Sequence, residues 1–172
     1  ENYQQILTNV HFSPIRNGYQ AMASLLQLED DDFLANDFSC LGSLLILDSA
    51  SGILTGDLYA GGDGNAGKII ARQLALQLKK MVRNYNLSAL VTNGTVSGSN
   101  GNKPAMGQVW QVADIALWLE VLDGFDETAS TKTVRARIDK HPFRAWHRKE
   151  PSQLVEFGIT TSGIVDVSME QT

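Results

Sequence analysis

Leu44-Leu45-Ile46-Leu47-Asp48-Ser49 and Ser88-Ala89-Leu90-Val91-Thr92-Asn93 are two short apolar runs, each closed by polar residues. Their hydrophobicity is continuous rather than alternating, which predicts strands buried on both faces in the middle of a parallel sheet. Between them the spacing predicts a helix from about Lys68 to Asn84. Ile70, Leu74, Leu78, Met81 and Val82 form its apolar stripe, and Arg72, Gln73, Gln77, Lys79, Lys80 and Arg83 face water. Lys79, Lys80 and Arg83 also suit the negative end of the helix dipole. Residues 51–67 are rich in glycine and are expected to form a loop. Strand, helix, strand in this order implies a right-handed crossover and a parallel sheet covered by helices.

Working outward, Ile6 to Phe12 alternates weakly and is expected to be a strand ended by Ser13-Pro14. Asn17-Gly18 opens a helix carrying Tyr19, Met22, Leu25, Leu26 and Phe33. The acids from Glu29 to Asp32 turn it into a loop holding Asn36, Asp37 and Ser39. Downstream, residues 93–108 form a polar loop with Gly94, Gly98, Gly101 and Gly107. Residues 115–122 and 133–139 are expected to pair antiparallel through Asp123-Gly124, and 155–159 with 163–167 to form a last hairpin around Thr161-Ser162. No internal repeat is present, and residues 1–172 are expected to form a single domain.

Composition agrees with a soluble globular chain: 43% hydrophobic, 19% charged, 15 Gly and 4 Pro exclude collagen-like and wholly disordered classes. No apolar run approaches the ~20 residues of a membrane span, and the start has no signal core. Cys40 is the only cysteine, so no internal disulfide or CxxC zinc site can form, which favours a reducing interior. The opening at Glu1, without methionine, suggests a trimmed or fragmentary product. Charge is uneven. Residues 1–67 carry nine acids and one base, whereas Lys132, Arg135, Arg137, Lys140, Arg144, Arg148 and Lys149 face a single acid, Asp139. That basic run is expected to be a solvated sheet edge, with nucleic-acid contact as the alternative.

Ligands of open α/β sheets bind beyond the carboxyl ends of the strands, which singles out the residues just after Leu47 and Val91, Asp48 first among them. A carboxylate ending a buried strand can hold the water shell of a nucleotide-bound magnesium, as a Walker B acid does; it can equally cap the following turn. Gly62-Asp63-Gly64-Asn65-Ala66-Gly67-Lys68-Ile69 nearly spells a phosphate loop. Ile69, however, supplies no hydroxyl for magnesium, and Asp63 sets negative charge beside phosphate. His11, His141 and His147 lack metal-ligand spacing, and no G-x-S-x-G elbow occurs. Phe143-Arg144-Ala145-Trp146-His147-Arg148-Lys149 interleaves aromatics and bases, either to stack on nucleotides or to bury one face of an amphipathic strand.

The ordered set of Leu44-Leu45-Ile46-Leu47-Asp48-Ser49, Gly61-Gly62, Ala71-Arg72-Gln73-Leu74-Ala75-Leu76-Gln77-Leu78-Lys79, Leu90-Val91-Thr92-Asn93 and Lys103-Pro104-Ala105-Met106-Gly107-Gln108-Val109-Trp110 resembles the second half of a RecA-type recombinase core. It most resembles the eukaryotic recombinase paralogues, the D-type branch above all. The resemblance implies an α/β fold: a RecA-like ATPase core with a mainly parallel sheet flanked by helices, a C-terminal antiparallel extension, and no N-terminal P-loop unit. Asp48 matches the Walker B acid, with Ser49 beside it, and Asn93 the polar residue near the γ-phosphate; Gly94 replaces the glutamine frequent in active members. Lys103 and Pro104 match the cap over a neighbour's nucleotide. Residues 51–67 and 94–108 match the two DNA-facing loops, with Lys103 and Gln108 as candidate contacts and Arg144, Arg148 and Lys149 as further basic candidates.

The resemblance further implies a nuclear, non-catalytic or weakly catalytic subunit in homologous-recombination DNA repair. It would assemble obligately with another paralogue and act on the strand-exchange recombinase and single-stranded DNA, with ATP and Mg2+ at a shared interface. Asp57 and Asp63 in the first loop argue against tight strand binding there. The competing expectations are a nucleoside triphosphatase using Gly62 to Lys68 with Asp48, and a stand-alone nucleic-acid binder using the basic run.

Overall fold

The computed structural model describes residues 8–30, 43–59, 64–98, 101–105, 107–122, 131–142 and 154–166. The chain divides into two compact units, Glu1–Val112 and Ala113–Thr172.

In the first unit, helix α1 (Gly18–Asp30) starts where the sequence indicates. The Asn17 side-chain oxygen accepts the Gln20 N–H at 2.9 Å, and Gln20 returns a bond by accepting the Arg16 N–H at 2.9 Å. This is close to a capping box and satisfies donors that the first turn leaves orphaned. Residues 8–12 form no strand, and Phe12 is 89% exposed, so the strand expected over Ile6 to Phe12 does not form in its described part. Weak alternation without a neighbouring edge supplies no ladder.

Strands β1 (Leu44–Leu47) and β2 (Ser88–Val91) pair in parallel, Leu44 with Ser88 through Leu47 with Val91. Helices α2 (Ala50–Tyr59) and α3 (Gly64–Tyr85) connect them. The loop expected over residues 51–67 is therefore corrected: most of it is helical. Ser49 caps α2 by accepting the Gly52 N–H at 3.1 Å, and Ala50, Ile53 and Leu54, at positions i, i+3 and i+4, are buried. Those gains outweigh the low helix propensity of Gly52 and Gly56.

The core of this unit gathers Ala21 and Leu25 of α1, Leu47, the buried residues of α2, and Ile70, Ala71, Leu74, Leu78 and Met81 of α3. Glu29 ties α1 to α3, accepting from Lys80 and Gln77, both at 2.7 Å. The Lys80 bond holds the Glu29 carboxyl below its ordinary range, so this tie persists at neutral pH and is lost only as Glu29 protonates in acid. The expectation of burial on both faces fails for the strand pair. Leu45, Leu47 and Val91 meet the core, whereas Leu44 (58%), Ile46 (57%) and Leu90 (50%) are exposed on the other face.

After β2, β3 (Thr95–Gly98) and β4 (Gly101–Pro104) form an antiparallel hairpin, followed by a 3-10 segment Gly107–Val112. The stretch expected to be a polar loop thus has structure of its own.

The second unit is an antiparallel sheet of β5 (Ala116–Val121), β6 (Thr131–Lys140), β7 (Leu154–Thr160) and β8 (Gly163–Asp166), in that order. Both predicted hairpins are present. Pairing places Leu117, Leu119, Val121, Val134, Ala136, Ile138, Val155, Phe157 and Ile159 on one face. The other face carries Arg135, bonded to Glu156 at 2.7 Å, and Arg137, which bonds Asp139 at 3.0 Å and lies 5.9 Å from the Trp118 ring centroid.

The architecture is α/β in the general sense of mixed helix and strand, but its sheets are not mainly parallel. Among the described residues only β1 and β2 run parallel. The described part of the basic run is corrected as well: β6 lies between β5 and β7 rather than at a sheet edge.

Candidate functional site at the strand ends

The parallel register brings the ends of β1 and β2 to one rim. Two residues separated by 44 positions meet there: the Thr92 hydroxyl donates to Asp48 Oδ1. Backbone bonds close the seam, from the Thr92 N–H to the Leu47 carbonyl at 3.1 Å and from the Ala50 N–H to the Thr92 carbonyl at 2.9 Å. The second of these fastens the start of α2 to the end of β2. Asp48 is exposed, and the peptide bond joining it to Ser49 is cis.

Ser49 Oγ is occupied as the α2 cap and lies 3.4 Å from Ser51 Oγ. Ser51 Oγ accepts the Gly94 N–H at 2.9 Å. A Cβ at Gly94 would sit 3.0 Å from the same oxygen, a tight contact that the Ser51 side chain would have to relieve. Asn93 donates through Nδ2 to the Ala105 carbonyl at 2.7 Å, while the Ala105 N–H donates to the Gly94 carbonyl at 2.8 Å. The foot of the β3–β4 hairpin is thereby fixed to the rim. Asn93 Oδ1 is buried with no hydrogen-bond partner among the described residues.

Asp48, Ser49 and Asn93 are therefore brought together, as the sequence indicates. Lys103 and Pro104 stand on β4, opposite Val96 and Thr95, and both are exposed. Gln108 lies in the 3-10 segment. Arg144, Arg148 and Lys149 fall outside the described residues. Ser51 and Thr92 are the rim residues that sequence reasoning missed; for Thr92 a hydroxyl directly after an apolar run was the available signal, and for Ser51 there was none.

No group of three or more His, Cys, Asp or Glu that could hold a metal ion occurs among the described residues. Ser49 Oγ is taken up by the cap and Asn93 Nδ2 by the Ala105 carbonyl, which leaves Asn93 Oδ1 as the group without a partner among the described residues. Gly64 to Lys68 make the opening turns of α3, so Lys68 sits within a helix rather than at the end of a phosphate cradle. α2, not a strand, precedes that helix. Asp48 neither makes the cap, which is Ser49, nor carries a ligand set of its own. Its geometry is that of a carboxylate held at one oxygen by Thr92 and presented at an open rim.

No family model matches the sequence, and no curated protein matches it.

Proposed function

We propose that this chain is a docking subunit of a recombinase-paralogue complex, working in homologous-recombination DNA repair in the nucleus. It assembles with another paralogue, and the assembly stabilises or remodels filaments of the strand-exchange recombinase on single-stranded DNA. The observation that carries this reading is the parallel pairing of β1 with β2, which sets Asp48 beside Thr92 and Asn93 at a common carboxyl-end rim. Open α/β sheets place ligands at that rim.

The uncovered face bearing Leu44, Ile46 and Leu90 supports docking rather than independent catalysis, because parallel strands are ordinarily covered on both sides. ATP and Mg2+ belong to this proposal only at an interface shared with the partner. There Asp48 is the group of this chain placed to hold magnesium-bound water, and the partner supplies the phosphate cradle.

Sedimentation velocity of the full chain, mixed in turn with each recombinase paralogue of its own organism, tests the reading. The expected result is a stable heterodimer with one of them. A chain that remains a soluble monomer with all of them overturns it.

A further inference from the structure

Helix α3 carries Lys68, Arg72, Lys79, Lys80 and Arg83 and not one Asp or Glu over its 22 residues. Solvated helices normally interleave opposite charges at i, i+4, whereas Lys68 with Arg72 and Lys79 with Arg83 are like-charge pairs at that spacing and disfavour the isolated helix. Lys80 is engaged by Glu29, and Lys79 also has an interaction of its own. The dipole accounts for cations at the end of the helix but not for Lys68 and Arg72 near its start, where it disfavours positive charge.

Two aliphatic side chains share this face. Ile69 is 56% exposed and Leu76 is 50% exposed, on the side opposite the buried Ile70, Leu74, Leu78 and Met81. At 100° per residue, Ile69, Leu76 and Arg83, spaced by seven, fall in one line along the helix; Lys68 and Arg72 flank it. The line runs for roughly 21 Å. Two exposed aliphatic side chains one heptad apart, Ile69 and Leu76, fit the apolar seam of a second helix, and the cations beside and beyond them, Lys68, Arg72 and Arg83, select acidic residues on it. A nucleic-acid strand matches the cations but makes little use of Ile69 and Leu76, and this face offers no aromatic ring for base stacking.

We infer that the outer face of α3, from Lys68 to Arg83, is a docking surface for an acidic amphipathic helix of a partner protein, with Ile69 and Leu76 as apolar anchors and Lys68, Arg72 and Arg83 as charge readers. This inference stands apart from the recombinase-paralogue reading, since it uses neither the rim nor Asp48.

The test is fluorescence anisotropy of the full chain with a labelled synthetic helix of three heptads, leucine on the seam and glutamate on the flanks. Wild type is expected to bind it, more weakly as salt is raised. Leu76→Ser and the pair Arg72→Glu with Arg83→Glu are each expected to weaken binding by about tenfold or more. The same helix with lysine flanks is expected not to bind. Circular dichroism of the variants is expected to match wild type, because all three positions are exposed. Absence of binding to the acidic helix, or equal binding by wild type and variants, overturns the inference. So does an oligothymidylate that displaces the helix and loses affinity in the Arg72→Glu, Arg83→Glu variant, because that result makes the face a phosphate-binding surface.

Discussion

Leu74→Ala is expected to lower the stability of the chain by about 2–5 kcal/mol, whereas Leu76→Ala is expected to leave it within about 0.5 kcal/mol of wild type. The two leucines are two positions apart on one helix and chemically identical. Leu74 is fully buried, packed among residues of α1, α2 and β1, so truncation removes its transfer energy and leaves a cavity. Leu76 projects from the opposite side, and alanine there loses little burial and is the better helix former. Urea unfolding of the full chain measures both. Equal losses would mean that α3 is rotated from the described phase, and the core and the outer cationic face would be wrong together.

Gly158→Ala is the second large effect. Gly158 lies in β7 opposite Thr133 of β6 and Val165 of β8. A Cβ at this position would come within 2.8 Å of Val165 Cγ2 and 2.9 Å of Thr131 Cγ2. Both of those atoms belong to β-branched side chains that are stiff at χ1, so neither methyl can swing aside cheaply. The expected cost is about 1–3 kcal/mol, the usual range for overpacking. Adding Val165→Ala to Gly158→Ala is expected to restore part of the loss, and thermal melts of single and double variants give the coupling. A fully additive double variant would contradict the β7–β8 register.

The strand pair and α3 were legible because each rests on one dominant signal. Short apolar runs bounded by polar residues read as strands, and the stripe from Ile70 to Val82 repeats at helical period over several turns. The two C-terminal hairpins were legible for a similar reason: turn residues separate runs rich in branched and aliphatic side chains.

Helix α2 was not, because Gly52 and Gly56 lower its propensity and suggest a loop. The Ser49 cap and the spacing of Ala50, Ile53 and Leu54 were the signals to weigh against them. The hairpin of β3 and β4 is short and polar, and its foot is set by Asn93 and Gly94 through bonds to Ala105 that no local pattern announces. Hydrophobicity likewise made Leu44 and Ile46 strand residues but could not say whether a second layer lies over them; exposure on that side is a property of the packing. The place of Arg135 and Arg137 in an interior strand depends on sheet order, which charge clustering does not encode.

At the rim, the place after an apolar run nominated Asp48, and the family resemblance nominated Asn93. Their proximity follows from parallel pairing, and the roles of Ser49, Ser51 and Thr92 follow from hydrogen bonds that exist only once the strands align. Ser49 holds a helix start in place and Asn93 a hairpin foot.

Parallel, in-register pairing of β1 and β2 underlies both the rim and the proposed docking role, and cysteine cross-linking tests it directly. In a Cys40→Ser background, Leu44→Cys with Ser88→Cys places two exposed thiols on directly paired residues, within the Cα separation of about 4.4–6.8 Å that a disulfide spans. Mild oxidation is expected to close this bridge within the monomer. Leu44→Cys with Val91→Cys, which would face each other only in antiparallel strands, is expected to stay reduced. A bridge in the second pair, or none in the first, would contradict the account.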